Sequence, residues 1–185
     1  FAHQFLGGRG LGARFLWDLV GPEVDPLSPQ NVLIFTAGPL TASGMQTSNR
    51  FSVTTKSPLT GTILDANSGG WWGMQFKRTG YDALIIRGKA SAPIYLEITP
   101  QGIVLHDAAD LWGKTVFETT ERLGQDKNKR NVLCIGPAGE NLSRMASIMN
   151  DRERALARGG AGAVMGSKNL KAIVVEGKEK NTPTD

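Results

Sequence analysis

Two Gly–Gly steps are the residues in this chain whose type and spacing best suit chemistry, and that chemistry is anion binding. Asn67-Ser68-Gly69-Gly70 stands after a Gly-Pro pair, Gly38-Pro39, and before the apolar run Ala83-Leu84-Ile85-Ile86. Arg158-Gly159-Gly160 stands after Gly136-Pro137 and before Ala172-Ile173-Val174-Val175. The interval from Gly70 to Ala83 nearly equals that from Gly160 to Ala172. Free N–H groups at a helix start carry partial positive charge, and glycine lets a phosphate approach the backbone with no Cβ in the way. A step duplicated in this manner suggests two similar anion-binding ends facing one two-sided ligand. Taken singly, the first copy also reads as a tight turn needing positive φ. Neither copy is a Walker loop, since no Gly-Lys-Ser/Thr closes it, and neither carries Gly-x-Gly-x-x-Gly.

Arg152, Arg154 and Arg158 crowd the approach to the second step. A guanidinium fork suits phosphate or a conjugated heterocycle; the competing reading is a charged surface loop with Asp151 and Glu153 as partners. Trp71-Trp72 offers either a stacking platform or core packing. His3 and His106 have no partner at metal-binding spacing. Cys134 is alone among Val132, Leu133 and Ile135, which reads as a buried strand thiol and excludes an internal disulfide. A reducing, cytoplasmic setting fits that usage. No complete catalytic apparatus is legible.

The elements that must position these residues follow from pattern. The 185 residues and net charge of +4 are those of a soluble globular protein, with no basic block for nucleic acid. No run approaches the ~20 apolar residues of a membrane span. Apolar spacing predicts helices over Leu11 to Val20, Gly69 to Thr79, Thr115 to Leu123 and after Gly159. Strands are predicted at Val32 to Ala37, Arg50 to Thr55, Thr62 to Ala66, Ala83 to Arg87, Val132 to Ile135, near Met145 to Met149 and at Ala172 to Glu176. A hairpin is predicted from Ile94 to His106. The fold expected is α+β: duplicated β-rich repeats with short helices, related by a pseudo-two-fold. The halves are about 1–124 and 125–178, with the boundary in Gly124 to Arg130. A start at Phe1 and a polar end over Lys178 to Asp185 read as cuts through a longer polypeptide.

In order along the chain, these segments resemble the tungsten-containing aldehyde ferredoxin oxidoreductases. The resemblance is carried by Gly38-Pro39-Leu40-Thr41, Thr55-Lys56-Ser57-Pro58-Leu59-Thr60-Gly61, Ala66-Asn67-Ser68-Gly69-Gly70 and Gly80-Tyr81-Asp82-Ala83. Ile135-Gly136-Pro137-Ala138-Gly139-Glu140-Asn141-Leu142, Met149-Asn150-Asp151 and Gly162 to Ala172 extend it. The resemblance implies an N-terminal base domain carrying a tungsten (or molybdenum) bis-pyranopterin. The Asn67-Ser68-Gly69-Gly70 end would hold one pterin phosphate and the Arg158-Gly159-Gly160 end the other, with Gly69 and Arg154 at further pterin-contacting positions. Backbone carbonyls of Asn67 and Ala155 would bind a phosphate-linking Mg2+, and Arg50 would stand between pterin and a 4Fe-4S cluster. The family's Cys-x-x-Cys-x-x-x-Cys run is absent, so the cluster ligands belong to C-terminal domains outside this sequence. The implied reaction is oxidation of a small aldehyde to a carboxylic acid with ferredoxin as acceptor, in an enzyme that can be a homodimer. Two rivals stand beside it: reduction of an aromatic acyl-thioester on the same cofactor, and a stand-alone phosphate-binding module.

Overall fold

The computed structural model describes residues 2–124 and 130–177; the expected boundary at 125–129 and the end beyond Gly177 lie outside the described residues. Helices α1 (Ala2–Phe5) and α2 (Gly8–Leu19) open the chain. Then come β1 (Leu33–Ala37), β2 (Phe51–Lys56), β3 (Ile63–Ser68), α3 (Trp72–Arg78) and β4 (Ala83–Ile86). A hairpin of β5 (Ile94–Thr99) and β6 (Gly102–Asp107) leads to α4 (Val116–Leu123). The second half holds β7 (Asn131–Cys134), α5 (Pro137–Glu140), β8 (Ile148–Asn150), β9 (Arg154–Leu156), α6 (Ala161–Ser167) and β10 (Leu170–Val175). No helix among the described residues is long and apolar enough to cross a membrane.

The duplication is written in the strand order. The first sheet runs β3-β2-β1-β4 and the second contains β9-β8-β7-β10. Each is therefore an antiparallel set whose fourth strand returns through a short helix to lie beside its first. The hairpin extends the second sheet, with β5 parallel to β10.

Alternation along the strands decides where the core sits. On β1, Leu33, Phe35 and Ala37 enter a core shared by both sheets, while Ile34 with Val32 packs under α2. On β10, Ile173 and Val175 enter the same shared core, while Ala172 and Val174 join Leu123 of α4. Both faces of each strand are covered, which is why these segments read as continuous apolar runs. Trp72 joins the halves. Its ring lies 4.6 Å from Phe51 and 5.1 Å from Phe76, and its Nε1 donates to the Ile173 carbonyl at 3.2 Å. Thr115 and Glu118 close a capping box on α4, contributing about 1 kcal/mol.

Cys134 is the buried strand thiol that its neighbours indicate. Burial first, against a weaker contact with Thr120, pushes it up to about 11. At pH 8 about one molecule in a thousand then carries the thiolate. Native protein is expected to stay unmodified by a disulfide reagent at pH 8 and to react at once in denaturant. Stoichiometric labelling within minutes under native conditions would contradict this burial.

Candidate functional site

The third strands of the two repeats, β3 and β9, pack against one another. Around them each repeat grips the other's Gly–Gly step in the same manner. Asn150, at the end of β8, donates from Nδ2 to the Gly69 carbonyl at 2.7 Å and to Ser68 Oγ at 3.3 Å. Ser57, just past β2, donates from Oγ to the Gly159 carbonyl at 2.7 Å. Ser57 and Asn150 follow or end the second strand of their respective sheets, so the latch is reciprocal.

Arg154, Asn67 and Ala155 reach this junction by strand register. Asn67 on β3 pairs with Ser52, and Ala155 on β9 with Met149. The turn between β8 and β9 puts two non-glycine residues in the left-handed region, Asp151 at φ 48° and Arg152 at φ 75°. Its geometry is held by the Asp151 carboxylate, which accepts from Val132 N at 2.9 Å and from Asn131 Nδ2 at 2.8 Å. Burial pushes that carboxyl above its usual range. The strand that aims Arg154 is absent from the expected elements; at three residues it is too short for alternation to reveal.

At one end of the junction Arg50, Gly69, Gly70, Trp71 and Arg154 line a cavity of 360 Å³. Arg50 Nη1 donates to Asn67 Oδ1. Gly70 has φ +91°, and a Cβ there would lie 3.1 Å from Arg154 Cδ. Its glycine therefore serves both the turn and the approach of the arginine. Among the described residues the N–H groups of Gly69 and Gly70 donate to no backbone carbonyl. The only carboxylate at ion-pair distance from Arg154 among those residues is the exposed Glu153, at 3.8 Å. Beneath, Asn150 is fully buried and its Oδ1 has no protein partner. Two guanidiniums and free N–H groups form a donor-rich lining suited to an anionic, hydrogen-bonding heterocycle.

At the other end, Arg158 and Gly159 line a cavity of 540 Å³ with Ser57, Leu64 and Met145. Gly160 lines neither cavity. It is buried at φ +84°, and a Cβ there would meet the Arg144 carbonyl oxygen at 2.2 Å. Ser68 is likewise buried, beneath Asn150 rather than facing either cavity. Helix α3 begins at Trp72, two residues after the first Gly–Gly step, so Gly69 is not its first turn.

The structure divides the two readings open for the tryptophans, and two further contributors, Ser57 and Asn150, carried no expected site role. Trp71, 58% exposed, lines the first cavity, whereas its neighbour Trp72 is core. Ser57 and Asn150 were legible in principle, because they stand at the C-terminal end of the second strand in their respective copies. His106 takes no part: its Nε2 lies 2.8 Å from Glu97 and its ring stacks on Tyr95. The His3 side chain lies outside the described residues.

The model of the aldehyde ferredoxin oxidoreductase N-terminal domain matches residues 1–177. A tungsten-containing aldehyde ferredoxin oxidoreductase of Pyrococcus abyssi is 52% identical over 182 residues, 97% of this chain and 30% of the relative. The WOR-like subunit of an aliphatic sulfonate oxidoreductase of Pyrococcus furiosus is 39% identical over 94% of this chain and 30% of its own. Among solved structures, the active-site complex BamBC of benzoyl coenzyme A reductase with 1,5-dienoyl-CoA is similar at TM-score 0.93 and 43% identity, over 98% of this chain and 28% of that one. The chain thus spans 30% of the length of the curated relatives it matches.

Proposed function

Since the chain belongs to the aldehyde ferredoxin oxidoreductase N-terminal domain family, we propose that it forms the cofactor-bearing base of a tungsten enzyme oxidising aldehydes to carboxylic acids. The observation that carries this reading is the pair of arginine-flanked Gly–Gly ends, one from each repeat, opening on cavities either side of one junction.

When bound, a tungsten bis-pyranopterin supplies the two-electron centre for RCHO + H2O → RCOOH + 2 H+ + 2 e−, the electrons leaving through a 4Fe-4S cluster to ferredoxin. Everything else is positioning by protein groups. Arg154 with the Gly69 and Gly70 amides holds one phosphorylated end, and Arg158 with Gly159 holds the other. The carbonyls of Asn67 and Ala155, on the two abutting strands, would hold a Mg2+. Asn67 Oδ1 fixes the Arg50 guanidinium at the cavity, where it would be available to donate to a bound pterin. Molybdenum suits the same ligands. The cluster ligands and substrate pocket belong to C-terminal domains of the same polypeptide, in a cytoplasmic enzyme that pairs as a homodimer.

The likeness to benzoyl coenzyme A reductase favours a second reading, reduction of an aromatic acyl-thioester on the same base. The higher identity to the aldehyde enzyme is what supports the first reading over it. Assay of the full-length protein with an aldehyde and with an aromatic acyl-thioester separates the two.

Arg50 and Arg154 are exposed. Arg154→Ala in the full-length protein is expected to lower retained tungsten and pterin about tenfold, as loss of charge-assisted hydrogen bonds implies. The melting temperature of cofactor-free protein should not move. Unchanged cofactor content would remove Arg154 from the site; a lower melting temperature with full content would make its role structural.

A further inference from the structure

A third cavity, of 310 Å³, lies in the seam between the two sheets and shares no lining residue with the two ends described above. Ile94 and Leu96 of β5 and Leu105 of β6 give it an apolar wall, and Arg87, Lys89 and Lys168 give it three cations. No aspartate or glutamate lines it. Lys168, at the C-terminal end of α6, is 2% exposed. Its Nζ donates to the carbonyls of Asn31 at 2.6 Å and Gly88 at 3.1 Å, neither of which neutralises its charge. Burial, and then the Arg87 guanidinium, push this ammonium down to about 8. A buried cation facing a like charge beside a cavity is a conflict that a bound anion relieves.

We infer that this seam is a binding site for an amphipathic monocarboxylate, with the carboxylate between Arg87, Lys89 and Lys168 and a short aliphatic body along Ile94, Leu96 and Leu105. The charge pattern demands an anion, and the apolar wall selects one with a hydrocarbon body over inorganic phosphate. The volume falls at the lower end of small-ligand pockets, enough for a chain of several carbons. The site is independent of the cofactor reading, because it involves neither Gly–Gly step.

The test is calorimetric titration of the full-length protein with octanoate, with octanol as the uncharged comparator. Millimolar binding is expected, with octanol at least about tenfold weaker, since a charge-assisted hydrogen bond is worth that factor or more. Arg87→Ala/Lys89→Ala changes two exposed side chains and should weaken octanoate about tenfold. Leu105→Asp, also on an exposed residue, should abolish it by adding a like charge to the apolar wall. Absence of octanoate binding to about 10 mM, or binding untouched by the double variant, overturns the inference.

Discussion

Glu140→Ala is expected to cost about 3–5 kcal/mol of folding stability, the range for removing one partner of a buried ion pair. The Lys171 side chain has no exposure and that of Glu140 has 5%. Lys171 Nζ donates to Glu140 Oε1 and, at 2.8 Å, to the Lys114 carbonyl; Glu140 Oε2 accepts from Gly113 N at 2.8 Å. One carboxylate thus ties β10 to α5 and to the loop before α4. Its removal leaves an ammonium in the interior with a single carbonyl, and an amide with no acceptor. A domain of this size has about 5–15 kcal/mol in hand, so the variant should unfold at much lower urea. Glu140→Ala/Lys171→Met should recover most of the loss, because a buried pair replaced by apolar groups is often neutral. A double variant no better than the single one would show that packing, rather than the stranded charge, sets the cost.

The second large effect is expected at Gly166. Alanine in place of glycine inside a helix ordinarily stabilises by about 1 kcal/mol. Here the sign should reverse, with a loss of about 3 kcal/mol from overpacking. A Cβ on Gly166 would lie 2.0 Å from the Gly139 carbonyl oxygen and 2.7 Å from its carbonyl carbon, both backbone atoms of α5. Gly162, one turn earlier, meets the Ser147 carbonyl oxygen at 2.5 Å. Positions four apart share a helix face, so α6 is pressed along that face onto backbone and cannot shift away. Gly44→Ala is the comparison: its φ of +90° is strained for alanine but its Cβ would meet nothing within 4 Å. That variant should lose only about 1 kcal/mol. Equal midpoints for the two in denaturant would refute the close approach of α5 and α6.

Apolar runs and turn residues were enough to locate most strands, because strands covered on both faces leave an unbroken apolar signal, as at Val32 to Ala37 and Ala172 to Val175. The duplication was legible because Gly-Pro, Gly–Gly and the returning apolar strand recur at nearly equal spacing. Those same landmarks fall at matching places along the two sheets. What failed to show was of two kinds. Very short elements, β9 and α5, leave no periodicity to read. Long-range polar contacts leave no local trace: Asn150 to Gly69 spans 81 positions and Ser57 to Gly159 spans 102. The two glycines of the second step also divide their labour in a way that composition conceals, Gly159 lining a cavity and Gly160 making room for the Arg144 carbonyl. Equivalent residues in a repeat need not share a role once the copies pack against different neighbours.

The measurement that bears most directly on the account is the tungsten, molybdenum, iron and released-pterin content of the full-length protein purified without oxygen. The account predicts about one tungsten or molybdenum, about two pterins and about four irons per chain. Phosphate or nucleotide recovered with no metal and no pterin would contradict it, and would make the paired Gly–Gly ends a site for a simpler anion.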